Sequence, residues 1–116
     1  MVSGVRLVSL VLLLALSACG RDQPTPSAAE LAARHPADPR LDQLYQTSCK
    51  ACHANPESGA PPVGFAKAWK PRADKGEAVL LAHVVEGFNG MPAGGQCFSC
   101  TPDDYRALIR FLAAKD

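Results

Sequence analysis

Two cysteines and a histidine near the middle of the chain have the types and spacing needed to hold a cofactor. Cys49, Cys52 and His53 occur in the order Cys-Lys-Ala-Cys-His. Cys-x-x-Cys-His is the attachment signature for c-type haem. Each cysteine sulfur adds to one vinyl group of the porphyrin, and the histidine that follows is placed to ligate the iron. The motif therefore predicts one covalent haem c, attached through Cys49 and Cys52, with His53 as a metal ligand.

Two other kinds of site also use a Cys-x-x-Cys pair. A thiol–disulfide site of the thioredoxin type is expected within a βαβ pattern, and no segment of this sequence alternates like a strand. A zinc site would recruit Cys97 and Cys100 as two further ligands. The zinc interpretation leaves the histidine directly after Cys52 unexplained, so haem attachment is favoured.

A second iron ligand is predicted at Met91, which lies between Gly90 and Pro92. A thioether is the usual partner of histidine in electron-carrying haem proteins, and it raises the reduction potential. Filling of the core is the alternative role, although a loop rich in glycine and proline is an unusual place for it. His83 would give a bis-histidine haem instead, but it lies in a predicted helix among apolar residues. The prediction is therefore His53 and Met91 as the two metal ligands.

The N-terminus has the features of an exported protein. Residues 7–16 form an almost continuous apolar run, which is too short to span a bilayer and typical of a signal peptide. The run ends in Leu-Ser-Ala-Cys, which resembles a bacterial lipobox, so residues 1–18 are expected to be removed and Cys19 to be lipidated. An ordinary secretory signal is the alternative. The predicted location is the periplasmic face of a bacterial membrane, and Gly20 rather than aspartate after the cysteine favours the outer membrane over the inner one.

Cysteine count and charge narrow the class of protein further. The five cysteines divide into Cys19, the haem pair, and the close pair Cys97 and Cys100. An odd count in an exported protein needs an explanation, and this division supplies one. The formal net charge is +1, with acidic and basic residues interspersed. Nucleic acid is excluded as a partner, because binding phosphates requires a clustered basic face.

The apolar pattern predicts an all-α domain over residues 39–116, preceded by a flexible linker at residues 19–38. The linker is rich in proline and alanine and has no convincing apolar stripe. A first helix is expected to start at Pro39 behind an Asp38 cap, and the last at Pro102 behind a Thr101 cap. The last helix is expected to bury Tyr105, Leu108, Ile109 and Leu112.

Two shorter helices are expected between these ends. One covers residues 65–70 and is stopped by Pro71, and the other covers residues 77–86, with Gly87 at its end. The second is expected to turn Leu80, Leu81, Val84 and Val85 inward. Long loops connect these helices, and a haem accounts for them because its flat apolar surface replaces core that the chain lacks.

From Leu44 onward the chain closely resembles the class I cytochrome c superfamily, and within it the bacterial cytochrome c5 family. The matching pieces are the haem motif, Gly59-Ala60-Pro61, Ala68-Trp69 with Pro71-Arg72, Gly90-Met91-Pro92, and Cys97-Phe98-Ser99-Cys100. The second Cys-x-x-Cys, after the methionine, is the feature that points to cytochrome c5. The resemblance implies a small class I fold of about four helices, with long loops wrapped around one haem.

The resemblance also implies roles for several residues around the haem. It implies a disulfide between Cys97 and Cys100, and a backbone carbonyl of Pro61 that accepts a hydrogen bond from the ring of His53. Trp69 and Arg72 are candidates to bind the haem propionates. Plain packing for Trp69 and a solvated surface position for Arg72 are the alternatives.

The expected function is the transfer of single electrons between redox proteins, without enzymatic activity. Two axial ligands leave no iron position open, and no base, nucleophile or pocket for a small-molecule substrate is indicated elsewhere. The partners are therefore expected to be periplasmic or membrane-bound electron donors and acceptors, with the membrane reached through the N-terminal lipid. A bound electron-transfer subunit of a larger oxidoreductase is one alternative. A haem enzyme or gas sensor is another, if Met91 is not an iron ligand.

Overall fold

The computed structural model describes residues 22–114, so the predicted signal peptide and Cys19 lie outside the described residues. Within that range the elements are α1 (Ala28–Ala32), α2 (Pro39–Leu44), a π-helical segment (Tyr45–Cys49), α3 (Lys50–His53), α4 (Ala66–Ala73), α5 (Glu77–Glu86), a 3₁₀ turn (Ala93–Gln96) and α6 (Pro102–Ala113). The all-α prediction is confirmed, because the described part of the chain contains one isolated β-bridge and no strand. No helix in that part is long and apolar enough to cross a membrane.

Helix α6 starts where its capping residues predict. The hydroxyl of Thr101 accepts a hydrogen bond from the backbone N–H of Asp104 at 3.2 Å, and the Asp104 carboxylate accepts one from the N–H of Thr101 at 2.9 Å. This reciprocal capping box satisfies donors that a helix start would otherwise leave unpaired. The helix then buries Leu108, Ile109 and Leu112.

An ion pair joins α2 to the start of α6. The guanidinium of Arg40 donates to both carboxylate oxygens of Asp104, at 2.6 and 3.0 Å. The hydrogen bond from the Arg40 guanidinium holds the pKa of Asp104 well below its usual range, and the hydrogen bonds from Thr101 lower this pKa further. One carboxylate therefore caps α6 and also holds the helix that leads into the haem motif.

The core lies where the first helices meet the last one. Its buried members are Leu31, Tyr45, Val63, Trp69, Leu108 and Leu112. Tyr45 packs edge-to-face against Phe111, with ring centroids 5.0 Å apart. Because Tyr45 opens the π-helical segment that ends at Cys49, this contact ties the haem motif to α6.

The segment before Pro39 differs from the predicted flexible linker. Ser27 and Glu30 form a capping box that starts α1, and Leu31 is fully buried in the core. Pro36 is buried as well. The sequence pattern did not reveal this packing because a five-residue helix turns only one large apolar side chain inward, too few to form a stripe.

Leu31→Ala is expected to lower the free energy of unfolding of the haem-loaded protein by about 2–5 kcal/mol, because truncation of a buried leucine loses apolar burial and leaves a cavity. Chemical denaturation followed by circular dichroism measures the change. Ala29→Ser, at an exposed position of the same helix, is the control and is expected to change stability by less than about 0.5 kcal/mol. If Leu31→Ala changes the free energy of unfolding as little as the control does, the prediction of a flexible linker before Pro39 would be supported instead.

Helix α4 continues through Pro71, so the predicted stop at that residue is wrong. Proline has a φ that suits a helix, and within one it removes the hydrogen bond to the carbonyl four residues earlier. That carbonyl belongs to Lys67, which lies on the exposed side of α4. The lost hydrogen bond therefore falls on the exposed side of α4, and the helix runs on to Ala73.

Helix α5 has the predicted bounds, but it buries a narrower face than expected. Leu80 is buried, Leu81 and Val84 are partly buried, and Val85 is 49% exposed. Leu80 and Val84 are four residues apart and share a face, whereas Val85 is rotated about 100° further around the helix. The inward prediction for Val85 is therefore wrong.

Candidate haem-binding site

His53 is held in one orientation at the end of α3. It is only 6% exposed, and its Nδ1 donates a hydrogen bond to the carbonyl oxygen of Pro61 at 2.8 Å. The N–H of Val63 returns a hydrogen bond to the His53 carbonyl at 2.9 Å, which fixes the loop that carries the acceptor. A carbonyl can only accept, so Nδ1 carries the proton and Nε2 is the ring nitrogen free to ligate a metal. This is the contact that the resemblance implies for Pro61.

Trp69 supports the same imidazole from α4. Its ring stacks with that of His53, with centroids 5.8 Å apart and planes 27° from parallel. The indole N–H donates to the carbonyl of Pro62 at 2.6 Å. Because indole has a single donor, Trp69 in this conformation has none for a haem propionate. In this structure Trp69 therefore packs against His53, and its role towards a propionate stays a prediction.

The surroundings keep His53 in the form that ligates metals. Burial lowers the pKa of His53, the hydrogen bond to Pro61 opposes this change, and the positive charge of Arg72 adds to the lowering. The net direction favours the neutral imidazole, which has a lone pair to give. Arg72 itself lies on the exposed surface and donates to the carbonyl of Ala68 at 2.5 Å, so its role towards a propionate stays a prediction.

The two cysteines of the haem motif are free thiols that are not bonded to each other. Cys49 ends the π-helical segment and Cys52 lies in α3, so a spacing of three residues puts both sulfurs on one helix face. Burial raises the pKa of Cys49 to about 11. A reactive thiol–disulfide site needs a lowered thiol pKa, so this environment disfavours the thioredoxin-type alternative.

The zinc alternative also loses its ligands. Cys97 and Cys100 are bonded to each other, with Cα atoms 5.4 Å apart. Within residues 22–114 no group of three or more His, Cys, Asp or Glu side chains is arranged to hold a metal ion. The disulfide is the one that the resemblance implies, and the hydroxyl of Tyr105 fastens it to α6 by donating to the Cys97 carbonyl at 2.9 Å.

Met91 lies on a tightly closed loop between α5 and α6. The N–H of Phe88 donates to the Met91 carbonyl at 3.0 Å, and the N–H of Met91 donates to the Phe88 carbonyl at 2.9 Å. Gly95 follows with a φ of 56°, and a Cβ there would lie 3.3 Å from Cε of Met91. A side chain at Gly95 would therefore strain the backbone and crowd the thioether.

This loop packs against both α5 and the segment that leads into the haem motif. The 3₁₀ turn Ala93–Gln96 contacts α5 and also Tyr45–Cys49. The competing ligand His83 lies nearby on α5, where its ring stacks on Phe88 with centroids 3.8 Å apart. Met91 and His83 are thus both in contact with Phe88, the first through backbone hydrogen bonds and the second through ring stacking.

The donors present fit a covalent haem. They are a buried neutral imidazole with one free nitrogen, a thioether on a loop fixed by hydrogen bonds, and two unpaired thiols on one turn of helix. The same helical segment supplies both thiols and the imidazole.

The relatives of this chain are small electron-carrying cytochromes. Cytochrome c5 of Ectopseudomonas mendocina is 39% identical over 74 residues, which cover 62% of this chain and 85% of the relative. Cytochrome c5 of Azotobacter vinelandii is 41% identical over 70 residues, 59% of this chain and 84% of the relative. The chain belongs to the cytochrome c5 family. As a c5 cytochrome it is a monohaem electron carrier with one covalent haem c, and it is not an enzyme.

A family model and two solved structures agree with this membership. The model described as cytochrome c oxidase, cbb3-type, subunit III, matches residues 36–112, and the cytochrome domain belongs to that wider family as well. A mono-haem ferrocytochrome c from Shewanella putrefaciens is 37% identical, with a TM-score of 0.58, covering 66% of this chain and 94% of that one. The cytochrome c in an electron-transfer complex of nitrite reductase with cytochrome c is 33% identical, with the same TM-score and coverage of 66% and 93%.

Proposed function

We propose that this c5 cytochrome shuttles single electrons between periplasmic or membrane-bound redox proteins, with haem attached at Cys49 and Cys52 and iron ligated by His53 and Met91. The observation that carries the proposal is the hydrogen bond from His53 Nδ1 to Pro61, which leaves Nε2 as the only ring nitrogen for a metal. When bound, the haem supplies reversible one-electron chemistry, at a potential that its axial ligands help to set.

The protein's contribution is to hold the ligands still. Pro61 and Trp69 fix the His53 ring on two sides, by a hydrogen bond and by stacking. Two backbone hydrogen bonds with Phe88 restrain the Met91 loop, and Gly95 leaves room for the thioether. A ligand set that does not rearrange between oxidation states suits electron transfer, because little reorganisation accompanies each transfer.

The test is a redox titration of the intact protein together with exposure of the reduced form to carbon monoxide. We expect a reversible one-electron transition, about 59 mV per tenfold change in the ratio of oxidised to reduced protein. We also expect no binding of carbon monoxide, because both axial positions are filled. Rapid binding by the unmodified protein would instead support a haem enzyme or gas sensor.

A second candidate is a bound electron-transfer subunit of a larger oxidoreductase. The description of the matching family model, which names an oxidase subunit, favours it. Purification of the tagged protein from membranes in mild detergent separates the two roles. A constant stoichiometry with one large redox enzyme supports the subunit, whereas a protein recovered alone and able to reduce an added acceptor supports the shuttle.

The proposal includes a lipid anchor at Cys19 on the periplasmic side of a bacterial membrane, with the outer membrane favoured by Gly20. The sequence that ends at Cys19 supports the anchor. Shortly after it, the carboxylate of Asp22 accepts a hydrogen bond from Lys67 on α4 at 2.8 Å. The proposed tether therefore leads into the domain over a short stretch of chain.

Cys19→Ser is expected to move the protein from the membrane fraction to the soluble periplasmic fraction, because the modified sulfur would be its link to the lipid. The visible spectrum and potential should stay unchanged, since the haem site lies in the separate folded domain. Cell fractionation with haem staining measures the shift, and a density gradient separates inner from outer membrane. Ser17→Ala keeps the cysteine and is expected to stay anchored. Unmodified protein found wholly in the soluble fraction would contradict the anchor.

A further inference from the structure

The disulfide loop after Met91 presents a bare aromatic side chain to solvent. Phe98 is 97% exposed, whereas the other exposed large apolar residues of the described chain, Val79, Val85 and Phe88, are 38–49% exposed. An exposed phenyl ring contributes no burial to folding, since burial is what makes apolar side chains stabilising. Stability of the folded protein therefore does not explain an exposed phenylalanine at position 98, whereas contact with another molecule would.

The backbone beneath Phe98 is fixed on both sides. The Cys97–Cys100 disulfide closes the loop around it. Cys97 is 4% exposed, its N–H donates to the Gly94 carbonyl at 2.9 Å, and its carbonyl accepts from Tyr105 at 2.9 Å. A side chain carried on such a backbone loses little conformational freedom when a partner covers it, which favours binding.

The loop that carries Phe98 has no charged residue of its own. Residues 87–102 contain no Asp, Glu, Lys or Arg, with Glu86 before the stretch and Asp103 after it. The carboxylate of Asp103 is paired with Arg106 at 2.8 Å. Arg106 also lies 3.8 Å from Glu77, which Arg110 approaches at 3.5 Å, so two arginines face these two carboxylates. The charges at the α6 border therefore neutralise one another instead of projecting a field of one sign.

We propose that Phe98 anchors the docking of an electron-exchange partner whose contact surface is apolar and uncharged. The proposal rests on the electron-carrier function and adds the chemistry of the partner. An uncharged surface is complementary to another uncharged one, and the centres of protein interfaces are enriched in aromatic residues and depleted of charge. Phe98 shares its loop with Met91, so a partner seated there would lie against the segment that carries the proposed iron ligand.

A blue-copper protein whose surface over the copper is apolar and uncharged serves as the probe. Stopped-flow measurement of its reduction by the haem-loaded cytochrome is expected to show a rate constant about tenfold lower for Phe98→Ser, the loss expected when an anchor residue is truncated. Phe98→Leu, which keeps apolar bulk, should retain most of the rate. The matched control Val79→Ser removes an exposed apolar side chain outside residues 87–102 and should match the unmodified protein.

Three further readouts separate docking at Phe98 from a damaged haem site. Between about 0.01 M and 1 M salt the Debye length falls from about 30 Å to about 3 Å, and the rate with the copper protein should change less than about twofold, because few charges are involved. Reduction of ferricyanide, a small ion that needs no docking surface, should be the same in all variants. On titration with the copper protein, amide NMR shifts should concentrate in residues 88–100.

Each contrary result overturns the docking proposal. An unaltered rate for Phe98→Ser, or a steep salt dependence in the unmodified protein, would show that another, charged surface is used. Self-association lost in Phe98→Ser would identify a second copy as the occupant, and binding to zwitterionic phospholipid vesicles lost in the same variant would identify the membrane. A ferricyanide rate that differs between Phe98→Ser and the unmodified protein would show damage at the haem site rather than lost docking. A visible spectrum of the unmodified protein unlike that of a six-coordinate haem would instead count against the proposed ligation.

Discussion

Replacement of both Cys49 and Cys52 by alanine is expected to abolish covalent haem and to remove most of the folded protein. The first effect follows because the two sulfurs are the proposed attachment points. The second follows from the core, which contains few large buried side chains. A small domain with so thin a core usually needs a cofactor, metal or disulfide to be stable. The Cys97–Cys100 disulfide closes only a short loop, so it constrains the unfolded chain little.

Haem staining after denaturing electrophoresis measures attachment, and far-ultraviolet circular dichroism measures the helix that remains. The matched control is the double substitution of Cys97 and Cys100 by serine, which removes the chain's other Cys-x-x-Cys pair and should keep the haem. A Cys49/Cys52 variant with normal helix content and no haem would refute the role of haem as core. Haem that acidified acetone extracts from the unmodified protein would refute the attachment itself.

The parts of the fold that local chemistry determines were predictable from sequence. The start of α2 behind Asp38 and the start of α6 behind Thr101 follow from capping side chains. The end of α5 at Gly87 follows from its backbone, which has a φ of 86°. These features depend on residues within one turn of the boundary, so the sequence of that turn contains the relevant information.

The parts that depend on distant contacts were not predictable. The burial of Leu31 depends on packing between α1 and later helices. The N–H of Lys50 donates to the Tyr45 carbonyl and so closes the π-helical segment Tyr45–Cys49, which the local sequence does not signal. The hydrogen bond from the Trp69 indole to the Pro62 carbonyl also joins residues on two different parts of the fold. Each outcome was decided by tertiary geometry, which composition and spacing do not contain.

For the site, the motif residues came from sequence and their support came from structure. Cys-x-x-Cys-His identifies its own three residues without any knowledge of the fold. The stacking of Trp69 on His53 and the closeness of Gly95 to the Met91 methyl group were not foreseen. The only hint in the sequence was a glycine, Gly95, close to the proposed ligand Met91. Its role became clear only from the positive φ of Gly95 and the position of the Met91 side chain.

Met91→Ala is expected to leave the haem covalently attached and to open one axial position of the iron. Carbon monoxide should then bind the reduced form and cyanide the oxidised form, neither of which the unmodified protein is expected to bind readily. The potential should fall by on the order of 0.1 V or more, since thioether ligation raises it and axial ligands tune haem potentials over about 0.8 V. Visible spectra with and without added ligand, together with a redox titration, measure both effects.

The matched substitution is His83→Ala, because His83 is the competing ligand and its ring stacks on Phe88, the residue paired with Met91 through two backbone hydrogen bonds. If Met91 ligates the iron, His83→Ala loses only this stacking and should leave the spectrum and the potential unchanged. If His83 is the ligand, the two variants exchange behaviour: Met91→Ala keeps its spectrum, and His83→Ala binds carbon monoxide.

Gly95→Ala adds a graded test, because its Cβ would lie 3.3 Å from the Met91 methyl group at a backbone φ of 56°. It should weaken ligation without removing the thioether, so that added imidazole displaces Met91 at a lower concentration than in the unmodified protein.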